Sequence, residues 1–155
     1  MSQFVKPENV FVRQSLSSRR EVLRFLADRA RDLGVTNDPD AVFQAFLARE
    51  EMGETGMTDG FAVPHAKSEA VLRPAVLVLK NDRRIEWPSF DEKPVDTFIS
   101  LLVPEGEEGT AHIKLLSRTA VLLMREKFKA FVRSTDDPAA IAQALDQELT
   151  EALAE

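Results

Sequence analysis

His65 and His112 are the only two imidazoles in the chain, and each follows a glycine cluster: Gly53, Gly56 and Gly60 before the first, Gly106 and Gly109 before the second. Glycine lets backbone amides approach a bound anion closely, and Pro64 restricts the backbone beside His65, so this spacing can present an imidazole at a surface. His112 is expected in the first turn of a helix, where unpaired N–H groups and the positive end of the dipole favour a phosphate or carboxylate. Against this reading, a single histidine in a small domain is more often a surface residue or a satisfied core residue. The charged triplet Arg49-Glu50-Glu51 at a helix end reads first as a solvated face whose basic residue answers the dipole. Lys67-Ser68-Glu69 reads as an exposed turn, Trp87 as part of a satellite cluster, and the Phe-rich helices as core.

What is missing narrows the chemistry. With no Cys and no Tyr, the chain has no disulfide, no thiolate zinc site, no cysteine nucleophile and no phenol. Two histidines cannot make a three-His metal site, and H-E-x-x-H, G-x-S-x-G, G-x-G-x-x-G and Walker motifs are all absent. No metal and no cofactor are expected. Lys and Arg number 20 against 26 Asp and Glu, a net charge of −6, so no sequence-wide field attracts nucleic acid or anionic lipid. The longest apolar runs, Ala75 to Leu79 and Phe98 to Val103, fall far short of the roughly 20 residues of a membrane helix. The start MSQFVKPENV lacks the basic-then-apolar order of a signal peptide, and a cytoplasmic location is expected.

The 155 residues fit one domain, 1–155, with no repeat or linker to divide them. A short apolar stretch, Val10 to Val12, precedes Ser18-Arg-Arg-Glu21, which has capping-box spacing, and Val22, Leu23, Phe25, Leu26, Ala30 and Leu33 then recur at helical intervals. This predicts a helix over 18–33. Asp38-Pro39 starts a second helix with Val42, Phe43, Phe46 and Leu47 on one face and Gly53 at its end. Strands are predicted at Phe61 to Val63, Pro74 to Leu79 and Val95 to Val103, the last buried on both faces. Thr110 can cap a helix carrying Ile113, Leu116, Ala120 and Leu123. Phe128 and Phe131 continue an apolar face, and Asp137-Pro138 restarts a final helix with Ile141, Leu145, Leu149 and Leu153. The order argues an α/β sandwich, a small mixed β-sheet flanked by α-helices, with strand order and direction left open.

The segment REEMGETGMTDGFAVPHAKSE, Arg49 to Glu69, resembles the histidine motif of the enzyme IIA domains of the phosphoenolpyruvate-dependent sugar phosphotransferase system, in the fructose/mannitol family. Arg49-Glu50, Thr55-Gly56, Gly60, Ala62 and Val63-Pro64-His65 carry the likeness, with IEWPSFDEKPV, LLVPEG and AHIKLLSRTAVLL further along. Pro64 to Lys67, Trp87 and Val103-Pro104-Glu105 look closest to fructose-type members. Three positions depart: Thr58 and Phe61 stand where members usually have Gly and a branched aliphatic residue, and Glu92 where Gly is common. The resemblance implies that His65 matches the phosphorylated histidine, His112 the second active-site histidine, and Arg49 the arginine beside the phosphoryl group. It implies a phosphoryl group received from the histidine-containing phosphocarrier protein and passed to an enzyme IIB domain, serving a membrane IIC transporter of fructose or a related sugar. That chemistry suits a neutral imidazole, whose lone pair can attack phosphorus with in-line positioning and charge stabilisation and no metal. Two other readings share the motif: a regulatory, nitrogen-type module whose His65 phosphorylation state controls a protein partner, and a homologue that binds phosphate without transferring it.

Overall fold

The computed structural model describes residues 4–106 and 110–154, except for the side chains of 110–112. Strand β1 (Val10–Gln14) leads into α1 (Arg19–Asp32), where Ser18 accepts from the Glu21 amide at 3.1 Å. Glu21 reaches back to the amide of Ser17 at 3.1 Å, one residue before the cap, so the expected capping box is made in a shifted form. Helix α2 (Pro39–Glu51) starts as expected, with the Asp38 carboxylate accepting from the Ala41 amide at 3.2 Å. Then come β2 (Phe61–Ala62), β3 (His65–Ser68), β4 (Ala75–Ile85) and β5 (Val95–Pro104), followed by α3 (Thr110–Leu122), α4 (Glu126–Ser134) and α5 (Pro138–Ala154).

The sheet is mixed. It runs β1-β4-β5-β2, with β3 also on β5; β1–β4, β2–β5 and β3–β5 are parallel and β4–β5 is antiparallel. Side chains of β4 and β5 alternate between two cores. Leu77, Leu79, Phe98 and Leu102 pack with Leu23, Leu26, Phe43 and Phe46 of α1 and α2. Val76, Val78, Ile99 and Leu101 pack with Leu115, Leu122, Val132, Ile141 and Leu145 of α3 to α5. Strand β5 is therefore covered on both faces, as its unbroken apolar run predicts.

Three local expectations are corrected. Lys67 and Ser68 belong to strand β3, not to a turn, and the chain turns only at Glu69-Ala70. Strand β4 runs on to Ile85 through charged residues because their polar groups find partners: Lys80 Nζ meets the Val132 and Thr135 carbonyls at 2.7 and 2.6 Å, and the Asn81 amide bonds the Leu16 and Arg83 carbonyls. Trp87 lies in the larger core, its ring 4.9 Å from that of Phe98, rather than in a satellite cluster. Glu92 occupies the left-handed region (φ 58°), a conformation that glycine adopts at least cost. No helix among the described residues is long and apolar enough to cross a membrane.

Candidate functional site

Strands β2 and β3 form one line along the edge of β5, interrupted at Val63-Pro64. Pro64 has no N–H for the ladder, but its carbonyl accepts from the Leu101 amide at 3.2 Å, and His65 opens β3 opposite Leu101. The His65 ring is half-buried, and both of its nitrogens are engaged. Nε2 accepts from Arg49 Nε–H at 2.9 Å, and Nδ1 lies 2.9 Å from the Val63 carbonyl. An arginine N–H can only donate, so Nε2 must carry the lone pair; Nδ1 then carries the proton and donates to Val63. The surroundings select one tautomer.

Arg49 sits in the last turn of α2, and its Nη1 donates to the Gly53 carbonyl at 3.1 Å. Among the described residues no carboxylate stands within ion-pair distance of it, so it is held by neutral acceptors. The solvated-face reading of Arg49-Glu50-Glu51 holds for Glu51, which is exposed, and fails for Arg49 and Glu50.

Glu50 is buried, 7% exposed, and its Oε2 accepts from the Thr55 hydroxyl at 2.6 Å. Thr55 Oγ1 in turn accepts from Trp87 Nε1–H at 3.0 Å. Glu50 Oε1 makes no hydrogen bond, and Arg19 Nη1 is 3.8 Å away. Burial pushes this carboxyl above the usual range, against the opposing pull of the Thr55 bond and the charges of Arg19 and Arg49. Sequence reasoning missed this network although the signal was present: Phe43, Phe46 and Glu50 recur at i, i+3 and i+7, which places a carboxylate on the core-facing stripe of α2.

The loop after α2 is pinned to the segment after β4. The Gly56 amide donates to the Pro88 carbonyl at 3.0 Å, and the Gly56 carbonyl accepts from Phe90 at 3.2 Å. A Cβ on Gly56 would stand 2.4 Å from the Pro88 oxygen, so only glycine fits this approach. The Asp59 amide donates to Asp91 Oδ2 at 3.0 Å, and the Asp59 carboxylate binds Lys129 Nζ at 2.5 Å. Arg49 and His65 are thus brought together by α2 and the β2–β3 edge. His112 falls in the first turn of α3, but its side chain, the expected cap at Thr110 and the loop at Gly109 lie outside what the structure describes. Among the described residues no three His, Cys, Asp or Glu side chains converge to hold a metal ion.

Residues 3–148 match the family described as phosphoenolpyruvate-dependent sugar phosphotransferase system, EIIA 2. The chain is 34% identical over 145 residues to the nitrogen regulatory protein of Bradyrhizobium diazoefficiens, covering 94% of each chain. It is 33% identical over 119 residues to the fructose-specific EIIA component of Haloferax volcanii, covering 77% of each. Some further relatives are longer proteins of which the chain spans about a fifth. In fold it is similar to the nitrogen regulatory protein IIA-Ntr of Neisseria meningitidis, with a TM-score of 0.84, 21% identity, and coverage of 92% of this chain and 96% of that one.

Proposed function

Because the chain belongs to the EIIA type 2 family of the phosphoenolpyruvate-dependent sugar phosphotransferase system, phosphotransferases that carry phosphoryl groups on histidine, we propose that His65 is its phosphoryl acceptor. The observation that carries this reading is the Arg49 Nε–H on His65 Nε2 at 2.9 Å. The same contact supports Nε2, the nitrogen with the lone pair, as the nucleophile. As the phosphocarrier protein presents its phosphohistidine, Nε2 bonds to phosphorus, the donor's N–P bond breaks, and that electron pair returns to the donor imidazole. The proton stays on His65 Nδ1, hydrogen-bonded to the Val63 carbonyl, throughout, so no proton transfer is needed. Arg49, released from Nε2, turns its guanidinium to the phosphoryl oxygens and offsets their charge. His112 supports the group, orienting His65 or contacting its phosphate, and is not a second acceptor.

On this reading residues 1–155 form one enzyme IIA domain acting in the cytoplasm, fed by the histidine-containing phosphocarrier protein. It passes phosphate to an enzyme IIB domain that serves a IIC transporter of fructose or a related sugar. The fructose-like wording around Pro64 to Lys67 and the likeness to a fructose-specific component support that choice. A second reading, a regulatory module whose His65 phosphorylation state controls a protein partner, is favoured by the near full-length likeness to a nitrogen regulatory protein. Reconstitution with phosphoenolpyruvate, enzyme I, phosphocarrier protein and candidate IIB domains tests both. Onward transfer to a fructose-type IIB supports the first reading, labelling of His65 with no transfer to any IIB supports the second, and no labelling at all overturns both.

A further inference from the structure

At the far end of the loop from Arg49, residues Asp59, Arg84, Lys93, Glu126, Lys129 and Arg133 line a cleft of about 410 Å³. Four cations against two acids are a local reversal in a chain of net charge −6. The two acids are already engaged, since Asp59 and Glu126 both bind Lys129 Nζ, at 2.5 and 2.9 Å. The two arginines share one carboxylate. Arg84 Nε and Arg133 Nη1 stand 3.6 and 3.5 Å from the two oxygens of a single carboxylate, Asp96, which already takes the Thr97 hydroxyl at 3.0 Å. Among the described residues neither guanidinium makes a closer hydrogen bond, and the Lys93 ammonium makes no ion pair. The Lys93 backbone is fixed by Ser89 and Asp91, so its side chain springs from a set point on the rim.

We propose that this cleft binds a small phosphate-bearing anion. A guanidinium offers five N–H donors in a planar fork, and two such forks beside an ammonium match a tetrahedral dianion with three acceptor oxygens better than a single carboxylate. The volume is that of a small-molecule pocket, and the chain's net charge of −6 disfavours a polyanion lying across it. The site is joined to the His65 strand. The Arg133 guanidinium stacks 4.8 Å above the Phe61 ring, and a Cβ on Gly60 would stand 2.7 Å from Arg133 Nη2. An anion drawing on Arg133 therefore pulls on Gly60 and Phe61, which lead through Val63-Pro64 to His65.

The test is an amide chemical-shift titration of the whole chain with inorganic phosphate and, separately, with glucose 6-phosphate. Saturable shifts are expected at Asp59, Phe61, Lys93, Asp96 and Ala130. The double variant Arg84→Gln/Arg133→Gln should weaken them at least about tenfold while leaving any shifts around Arg49 and His65 intact. Arg49→Gln should do the reverse, which separates this site from phosphate held at the proposed acceptor. Tighter binding of glucose 6-phosphate assigns the cleft to a phosphate monoester, and equal binding assigns it to the phosphate group alone. Should the double variant fail to fold, Lys93→Gln must still weaken binding. Absence of saturable shifts at the cleft up to about 20 mM of either anion, or shifts unchanged by these substitutions, overturns the proposal.

Discussion

Arg49 and Lys129 hold the two ends of one loop, Arg49 through the Gly53 carbonyl and Lys129 through the Asp59 carboxylate. They do so with opposite kinds of partner. Among the described residues Arg49 hydrogen-bonds only to neutral acceptors, the His65 ring and a backbone oxygen, and closes no ion pair. Lys129 is 5% exposed and closes on two carboxylates, so its charge is matched before any ligand arrives. A cation left without a carboxylate beside an imidazole lone pair is open to an incoming anion, whereas one paired with carboxylates fastens α4 to the loop. On the proposed reading, the difference separates a charge that serves chemistry from one that serves the fold.

The comparison can be broken by substitution. The largest effect belongs to the group Arg49 faces: His65→Ala should abolish labelling, read by intact mass after incubation with phosphorylated carrier. The wild type should show one phosphate that acid removes and alkali spares; undiminished labelling of the variant would remove the acceptor from the site. Next, Arg49→Gln should slow transfer about 30-fold, the ~2 kcal/mol of a charge-assisted bond, without lowering the melting temperature. His112→Ala should lower transfer about tenfold while still permitting labelling. Lys129→Gln should show the opposite pattern to Arg49→Gln, with transfer within about twofold of wild type and stability reduced by about 1 kcal/mol. The loss is modest because Asp59 and Glu126 are 52% and 83% exposed and return to water. If Lys129→Gln slows transfer as much as Arg49→Gln, the division between the two cations fails.

Sequence patterns carried α1, α2, α5 and the double burial of β5, and family likeness placed Arg49 beside a group on His65. Caps at Ser18 and Asp38 and the spacing of Val22 to Ala30 are local signals, and local signals survive folding. The Arg49–His65 contact joins residues 16 apart through α2 and a strand edge, so it came from family likeness and not from periodicity. Strand β3 was not legible because three of its four residues, His65, Lys67 and Ser68, are polar, and only the parallel pairing with β5 makes them a strand. Lys80 likewise reads as the end of β4 until α4 brings carbonyls to its ammonium. The Arg84–Asp96–Arg133 arrangement joins β4, β5 and α4, and no spacing along the chain announces it.

The smallest expected effect sharpens the comparison most, because Glu50 is the carboxylate that could have neutralised Arg49 and does not. It sits next to Arg49 in sequence but turns into the core, where its Oε2 takes the Thr55 hydroxyl. Burial raises this carboxyl above the ordinary value of about 4.3, so the folded chain holds the proton more tightly than the unfolded one. The sign follows from linkage. The stabilisation is fully present below the unfolded value and is lost as pH rises through the folded one. Glu50→Gln keeps an acceptor for Thr55 and does not titrate, so wild-type stability should fall relative to the variant as pH rises above the ordinary carboxyl value of about 4.3. Urea unfolding at several pH values reads the slope. A wild type that gains on Glu50→Gln as pH rises would mean a folded-state value below the unfolded one, an ionised Glu50 stabilised by Arg19 or Arg49. Arg49 would then be a matched cation like Lys129.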